Sequence, residues 1–224
     1  MKKIISVITL ASCFAVPSTG FAQFGTFLQQ LGGLAASANA PASGQAAANA
    51  GTPAATGSPL LATYVAANKD ILYANAYFAE SMGLKEQAAI AKATADALTE
   101  GSTKDVLEES NKVITSSSAA LDEAIQKTPR LNQRSQTLYG QGLARFGLGM
   151  IKYASLKGQT VSMASGGVSS ILSNLAGAQT TMYIVSSLPQ STINLATTFK
   201  NMTTFARDNN IKVPDDATKA LAAL

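Results

Sequence analysis

The sequence predicts an all-α protein: an elongated bundle of five or six antiparallel helices preceded by a flexible N-terminal segment. Apolar residues recur at steps of three and four from Pro59 to the C-terminus, the repeat of one helical face. Hydrophobic residues make up 46% of the 224 positions but aromatics only 6%, so Ala carries much of the core. Ala is the best helix former and a poor strand former. No segment shows the Val/Ile/Thr alternation between turn residues that a strand requires.

Residues 1–22 have the three parts of a secretory signal. Lys2 and Lys3 form the charged start, Ile4 to Leu10 the apolar run, and small residues after Pro17 lead to Gly20-Phe21-Ala22. Cleavage is expected after Ala22, which makes the protein periplasmic or secreted in a bacterial cell envelope. The apolar run is shorter than the roughly 20 residues of a membrane-spanning helix. Leu10-Ala11-Ser12-Cys13 also has the pattern of a lipoprotein cleavage box, so the alternative is a membrane-anchored lipoprotein held through Cys13. Against it, Phe14-Ala15-Val16 continues the apolar run past that box, as in an ordinary signal. With the signal removed the mature chain has no cysteine, and disulfide and thiol chemistry are excluded. Lys2 and Lys3 leave with it, so the formal net charge of +4 falls to +2. Sparse charge, with no basic cluster among aromatics, gives no case for nucleic acid.

Residues 23–36 form a short amphipathic segment. Phe24, Phe27, Leu28 and Leu31 fall on one helical stripe, a candidate partner-docking surface. No Lys or Arg accompanies them, which removes the anionic-lipid attraction that a membrane-surface helix uses. Residues 37–58 contain only Ala, Ser, Asn, Pro, Gly, Gln and Thr. No side chain there can anchor a core, so the segment is expected to be a flexible linker.

The domain proper, 59–224, opens with Ser58 as N-cap and Pro59 at the first helical position. Leu60, Tyr64, Ala67, Ile71, Ala74 and Phe78 form its inward seam, and Gly83 ends the helix. A second, Ala-rich helix runs over about 85–99. Ser102 and Asp105 then resemble a capping box for a third helix. That helix carries Leu107, Ile114 and Leu121 and is stopped by Pro129. A fourth, about 130–157, presents Tyr139, Leu143, Phe146, Met150 and Tyr153. It also holds Gly140, Gly142, Gly147 and Gly149, each costing up to about 1 kcal/mol against Ala. Close approach of a neighbouring helix is the expected reason, a hinge the alternative. In a fifth helix Val161, Ala164, Val168, Ile171, Leu175, Ala178, Met182 and Val185 fill a heptad seam. Beside that seam runs a narrow face of Ser165, Ser169, Ser173, Gly177 and Thr181. Pro189 is expected to end this helix, and a sixth carries Leu195, Phe199, Met202 and Phe205 to about Asp208.

Chemistry is hard to place on this chain. The sequence has no His, which removes imidazole catalysis and imidazole metal ligation. Tyr153 and Lys157 match the Tyr-x-x-x-Lys pair of short-chain dehydrogenases, but no glycine-rich strand-to-helix turn accompanies them. Tyr153 is expected at the core edge and Lys157 as a favourable helix-end charge. Gly142 and Gly147 have the spacing of a phosphate loop, with Leu148 where Lys is required. Asp105, Glu108, Glu109, Asp122 and Glu123 are expected to form a solvated helix face. No catalytic, metal or cofactor-binding residue is assigned.

Charge distribution says more. Residues 59–128 hold six basic and ten acidic groups, and residues 129–224 nine and three, as complementary helices facing each other would. Nothing between Lys157 and Lys200 is charged. Such a stretch meets protein or lipid, and Asn174, Gln179 and many Ser and Thr favour protein. The expected function is therefore non-enzymatic: an exported scaffold, assembly factor or chaperone-like protein acting through protein–protein contacts. Its partner is an envelope protein or a second copy of itself. Membrane or lipid binding, pore formation included, through the uncharged helices 158–199 is the alternative.

Overall fold

The computed structural model describes residues 58–127, 130–165 and 175–222. These residues form six helices and no strand: α1 (Pro59–Ser81), α2 (Lys85–Ala97), α3 (Lys104–Gln126), α4 (Gln133–Ser165), α5 (Leu175–Asp208) and α6 (Asp215–Ala222). The signal segment with Cys13 and Ala22, the stripe Phe24, Phe27, Leu28 and Leu31, and the linker to Gly57 lie outside the described residues. So do Gly166, Gly167, Val168, Ser169, Ile171 and Ser173.

The first helix forms as its sequence dictates. Ser58 Oγ accepts the Leu61 N–H at 3.2 Å, and Pro59 needs no partner for the N–H it lacks. Gly83, at φ +80°, follows the helix in the left-handed conformation that costs only glycine nothing. Leu60, Tyr64, Ala67, Ile71, Ala74 and Phe78 are each at most 1% exposed. Leu107, Ile114 and Leu121 of α3 are buried too, as are Tyr139, Leu143, Phe146, Met150 and Tyr153 of α4. Phe146 stacks on Phe199 of α5 with ring centres 5.0 Å apart. Tyr139 packs between Phe78 at 4.7 Å and Phe205 at 5.3 Å, and its hydroxyl donates to the Met202 carbonyl at 2.9 Å. Thus α1, α4 and α5 share one aromatic core.

Of the four glycines singled out on α4, Gly142, Gly147 and Gly149 are sites of close approach, while a Cβ on Gly140 would meet only an ordinary contact at 3.9 Å. A Cβ on Gly142 would stand 2.7 Å from the Phe78 ring, and one on Gly149 2.7 Å from Ile71. One on Gly147 would meet the Asp216 and Ala217 backbone at 2.8 Å. So α1 presses on α4 at two points one heptad apart, and α6 presses at a third. The acidic and basic halves of the chain also meet here. Asp70 of α1, its side chain 6% exposed, pairs with Arg145 at 2.9 Å and Lys152 at 2.5 Å on α4.

Five sequence expectations are corrected. Helix α3 starts at Lys104 after Thr103, with no side-chain cap. The Ser102 hydroxyl instead accepts the Thr99 N–H at 2.9 Å, so there is no capping box. Helix α4 runs on to Ser165, which leaves Lys157 in mid-helix, and Tyr153 is fully buried rather than at the core edge.

Pro189 does not end a helix; it lies inside α5. An interior proline costs about 3 kcal/mol. Ile184 and Leu188 before it, with Leu195 and Phe199 after it, anchor both halves of α5 in the same core. Burying a large apolar side chain contributes about 1.5–3 kcal/mol, so these four outweigh the proline. Pro189 therefore lies within one continuous helix rather than at a turn.

The fifth correction follows from the fourth. Because α5 is continuous, Leu195, Phe199 and Met202 set the phase of its first half. Thr181, Ile184 and Leu188 therefore point inward. Met182 and Val185, expected in the seam, are 66% and 42% exposed. Thr181, the member of the narrow small-residue face whose side chain is described, is buried instead.

Burial of the tyrosines gives the fold an alkaline limit. Desolvation pushes the Tyr153 and Tyr139 phenols far above their ordinary value and the Tyr183 phenol up to about 12. The unfolded chain releases these protons near pH 10 while the folded chain holds them. Their contribution is complete below pH 10 and is lost as the pH rises toward and past 12. Between pH 10 and 12, phenolate absorbance is expected to rise together with loss of helical ellipticity. Full ionisation of the tyrosines with the helices intact would contradict the buried placement.

Candidate functional site

A buried polar network ties α1, α3, α4 and α5 together. Asn68, 0% exposed, accepts from the Tyr153 hydroxyl through Oδ1. Its Nδ2 donates to Ser110 Oγ at 3.3 Å and Asn111 Oδ1 at 3.2 Å. Asn111 Nδ2 donates in turn to the hydroxyls of Tyr64 and Tyr183, both at 2.7 Å. A buried polar group left unpaired costs about 1–3 kcal/mol, so the amides and hydroxyls have to match as they do. One turn-pair along α1, Asn75 Nδ2 donates to Ser117 Oγ at 2.8 Å. Among the described residues, Asn75 Oδ1 is the buried side-chain polar atom left without a hydrogen-bond partner.

This network comes to the surface in a cleft between α3 and α5. A cavity of about 200 Å³ has buried Ile114, Leu195 and Tyr153 on its inner side. Asn111, Thr115 and Asp122 wall it on α3, and Ser191, Asn194 and Thr198 on α5. A second cavity of about 480 Å³ shares Asp122 and continues to Gln126 and Asn209 over Ile125 and Phe205. Asp122 Oδ1 accepts from Asn201 Nδ2 at 3.3 Å across the cleft. Asp122, Lys200 and Asp208 are the charged side chains lining the two cavities.

The other carboxylates singled out by sequence spacing behave as a solvated face. Glu108 and Glu109 both reach Lys112, and Glu123 pairs with Lys127 at 2.9 Å. The hydrogen bond from Lys127 holds the Glu123 carboxyl below its usual range. Among the described residues, no group of three acidic, His or Cys side chains could hold a metal.

The opposite flank of α5 is different. Met182, Val185, Pro189 and Ile193 occupy positions i, i+3, i+7 and i+11, one stripe within about 80° of helix. All four are exposed, Ile193 at 61%, and the polar residues beside them, Ser186, Gln190 and Thr197, are uncharged. Among the described residues no helix is long and apolar enough to cross a membrane. The heptad pattern named Met182 and Val185 but put them in the core, read Pro189 as a helix end and did not include Ile193. The network was missed because Asn68, Asn75 and Asn111 look like surface polars. A seven-residue spacing of Asn68 and Asn75 beside the inward seam of α1 was the available signal. No family model, curated protein or solved structure matches the chain.

Proposed function

We propose that the chain is a non-enzymatic exported protein of the bacterial cell envelope that acts through protein–protein contacts, with α5 as its contact helix. The carrying observation is the stripe of Met182, Val185, Pro189 and Ile193, which stays exposed after six helices have packed. An exposed apolar strip rimmed by neutral polar residues fits a protein partner. It carries no cation before Lys200, so it lacks the electrostatic attraction that fixes surface helices on anionic lipid. The helices form an up-and-down antiparallel bundle in this reading. Contacts along α1 and α4 run in opposite numerical order, Phe78 with Gly142 and Ile71 with Gly149. Tyr139 with Phe205 and Phe146 with Phe199 do the same for α4 and α5. Phe24, Phe27, Leu28 and Leu31 serve as a second docking element, delivered after cleavage at Ala22 on the 37–58 linker.

The reading is tested by Met182→Glu combined with Ile193→Glu. Both sites are exposed, so stability is expected to change by no more than about 0.5 kcal/mol each. The protein's assembly in envelope extract, sized by sedimentation, is expected to disappear. An unchanged assembly contradicts the proposal. Flotation of the wild-type chain with neutral phosphatidylcholine vesicles, abolished by the same pair, would support the lipid reading instead.

A further inference from the structure

We propose that the α3–α5 cleft is a binding site for an extended, neutral-to-basic peptide segment, separate from the outward stripe of α5. Its length is suitable. From Asn194 to Asp208, α5 rises about 21 Å at 1.5 Å per residue, the reach of six or seven residues of extended chain at about 3.3 Å each. Its walls are suitable too. Ser118 and Gln126 on one side and Asn194, Asn201 and Asn209 on the other are carboxamides or hydroxyls. Each offers a donor and an acceptor together, as a peptide unit does. Between the walls lie Ile114, Leu195, Ile125 and Phe205, an apolar base for alternate side chains of a bound strand.

Charge narrows the class. Asp122 and Asp208 face a single Lys200, so the cleft carries one net negative charge and disfavours acidic segments. Tyr153 and Phe205 are 1% and 5% exposed, so no ring face is free for a nucleobase to stack on. Asp122 is the residue common to both cavities and already accepts one amide N–H, that of Asn201. A carboxylate has further lone pairs, which places it to accept from a ligand amide or ammonium in the same position.

Fluorescence anisotropy of the chain from Gln23 with a labelled alternating Lys-Val octapeptide tests this, an alternating Glu-Val octapeptide serving as comparison. Saturable binding of the basic peptide is expected, with affinity at least tenfold weaker in Asp122→Lys and weakened to a smaller degree in Asp122→Asn. Glu123→Lys makes the same charge change at the next residue, outside the cleft, and is expected to alter affinity less than twofold. Circular dichroism checks that each variant keeps its helices; should Asp122→Lys fail to fold, Asp122→Asn decides. The proposal is overturned by absence of saturable binding up to 1 mM protein. It is equally overturned if Glu123→Lys weakens binding as much as Asp122→Lys, or if the acidic peptide binds as well as the basic one.

Discussion

Gly142→Ala combined with Gly149→Ala is expected to destabilise the protein by about 3 kcal/mol, the balance of overpacking over helix propensity. Each alanine gains up to about 1 kcal/mol as a helix former. Each new methyl also meets α1 too closely: 2.7 Å to Phe78 or Ile71 and 3.2 Å to the carbonyls of Ala74 and Ala67. The side-chain ends can yield, but the carbonyls belong to the helix itself, so α1 must move off α4. Forcing extra carbon into a packed core costs about 1–3 kcal/mol per site. Urea unfolding measures the sum. Coupling supplies the finer check: Gly142→Ala is expected to cost less by about 1 kcal/mol when Phe78 is already Leu. A double alanine variant as stable as wild type would mean that α1 does not pack on these glycines.

Asn68→Leu is the second large effect, about 3 kcal/mol, since it strands several buried groups at once. The Tyr153 hydroxyl loses its acceptor, and Ser110 and Asn111 lose a donor. Tyr153→Phe alone removes one hydroxyl and leaves Asn68 Oδ1 unmet, an expected loss of about 1–2 kcal/mol. The two together are expected to cost clearly less than their sum, because the apolar pair no longer buries an orphan. Strict additivity would show that the network does not connect α1 to α4. Tyr64 and Tyr183 join the same network through Asn111, whose N–H favours the Tyr183 phenolate, so Asn68→Leu, by loosening Asn111, is also expected to make the Tyr183 phenol harder to ionise.

Much of this architecture can be read from the sequence. The seam of α1, the aromatics of α4 and the close-packing glycines needed only periodicity and the known cost of glycine in a helix. Complementary charge on the two halves foretold the pairing of Asp70 with Arg145 and Lys152. The failures have a common physical cause. Pro189 and the heptad of Met182 and Val185 were judged locally, whereas the fate of α5 is decided by anchors on both sides of the proline. Once the helix is continuous, one phase must serve its whole length, and the C-terminal aromatics and Met202 choose that phase. The cleft was illegible for another reason. Its polar side chains come from two helices and lie more than sixty positions apart in the sequence, and neither row looks unusual by itself. Asn68 and Asn111 gave no signal of burial because only the assembled network makes their burial tolerable.

The central claim, that the outward stripe of α5 meets a protein, is tested most directly by photo-crosslinking in intact cells. A photoreactive residue replaces Ile193 in one variant and Glu86, an exposed position on α2, in another. Crosslinks from position 193 to a protein of one defined mass, lost when Met182 is changed to Glu, are the expected result. No protein adduct at 193, or the same adducts from position 86, would contradict it.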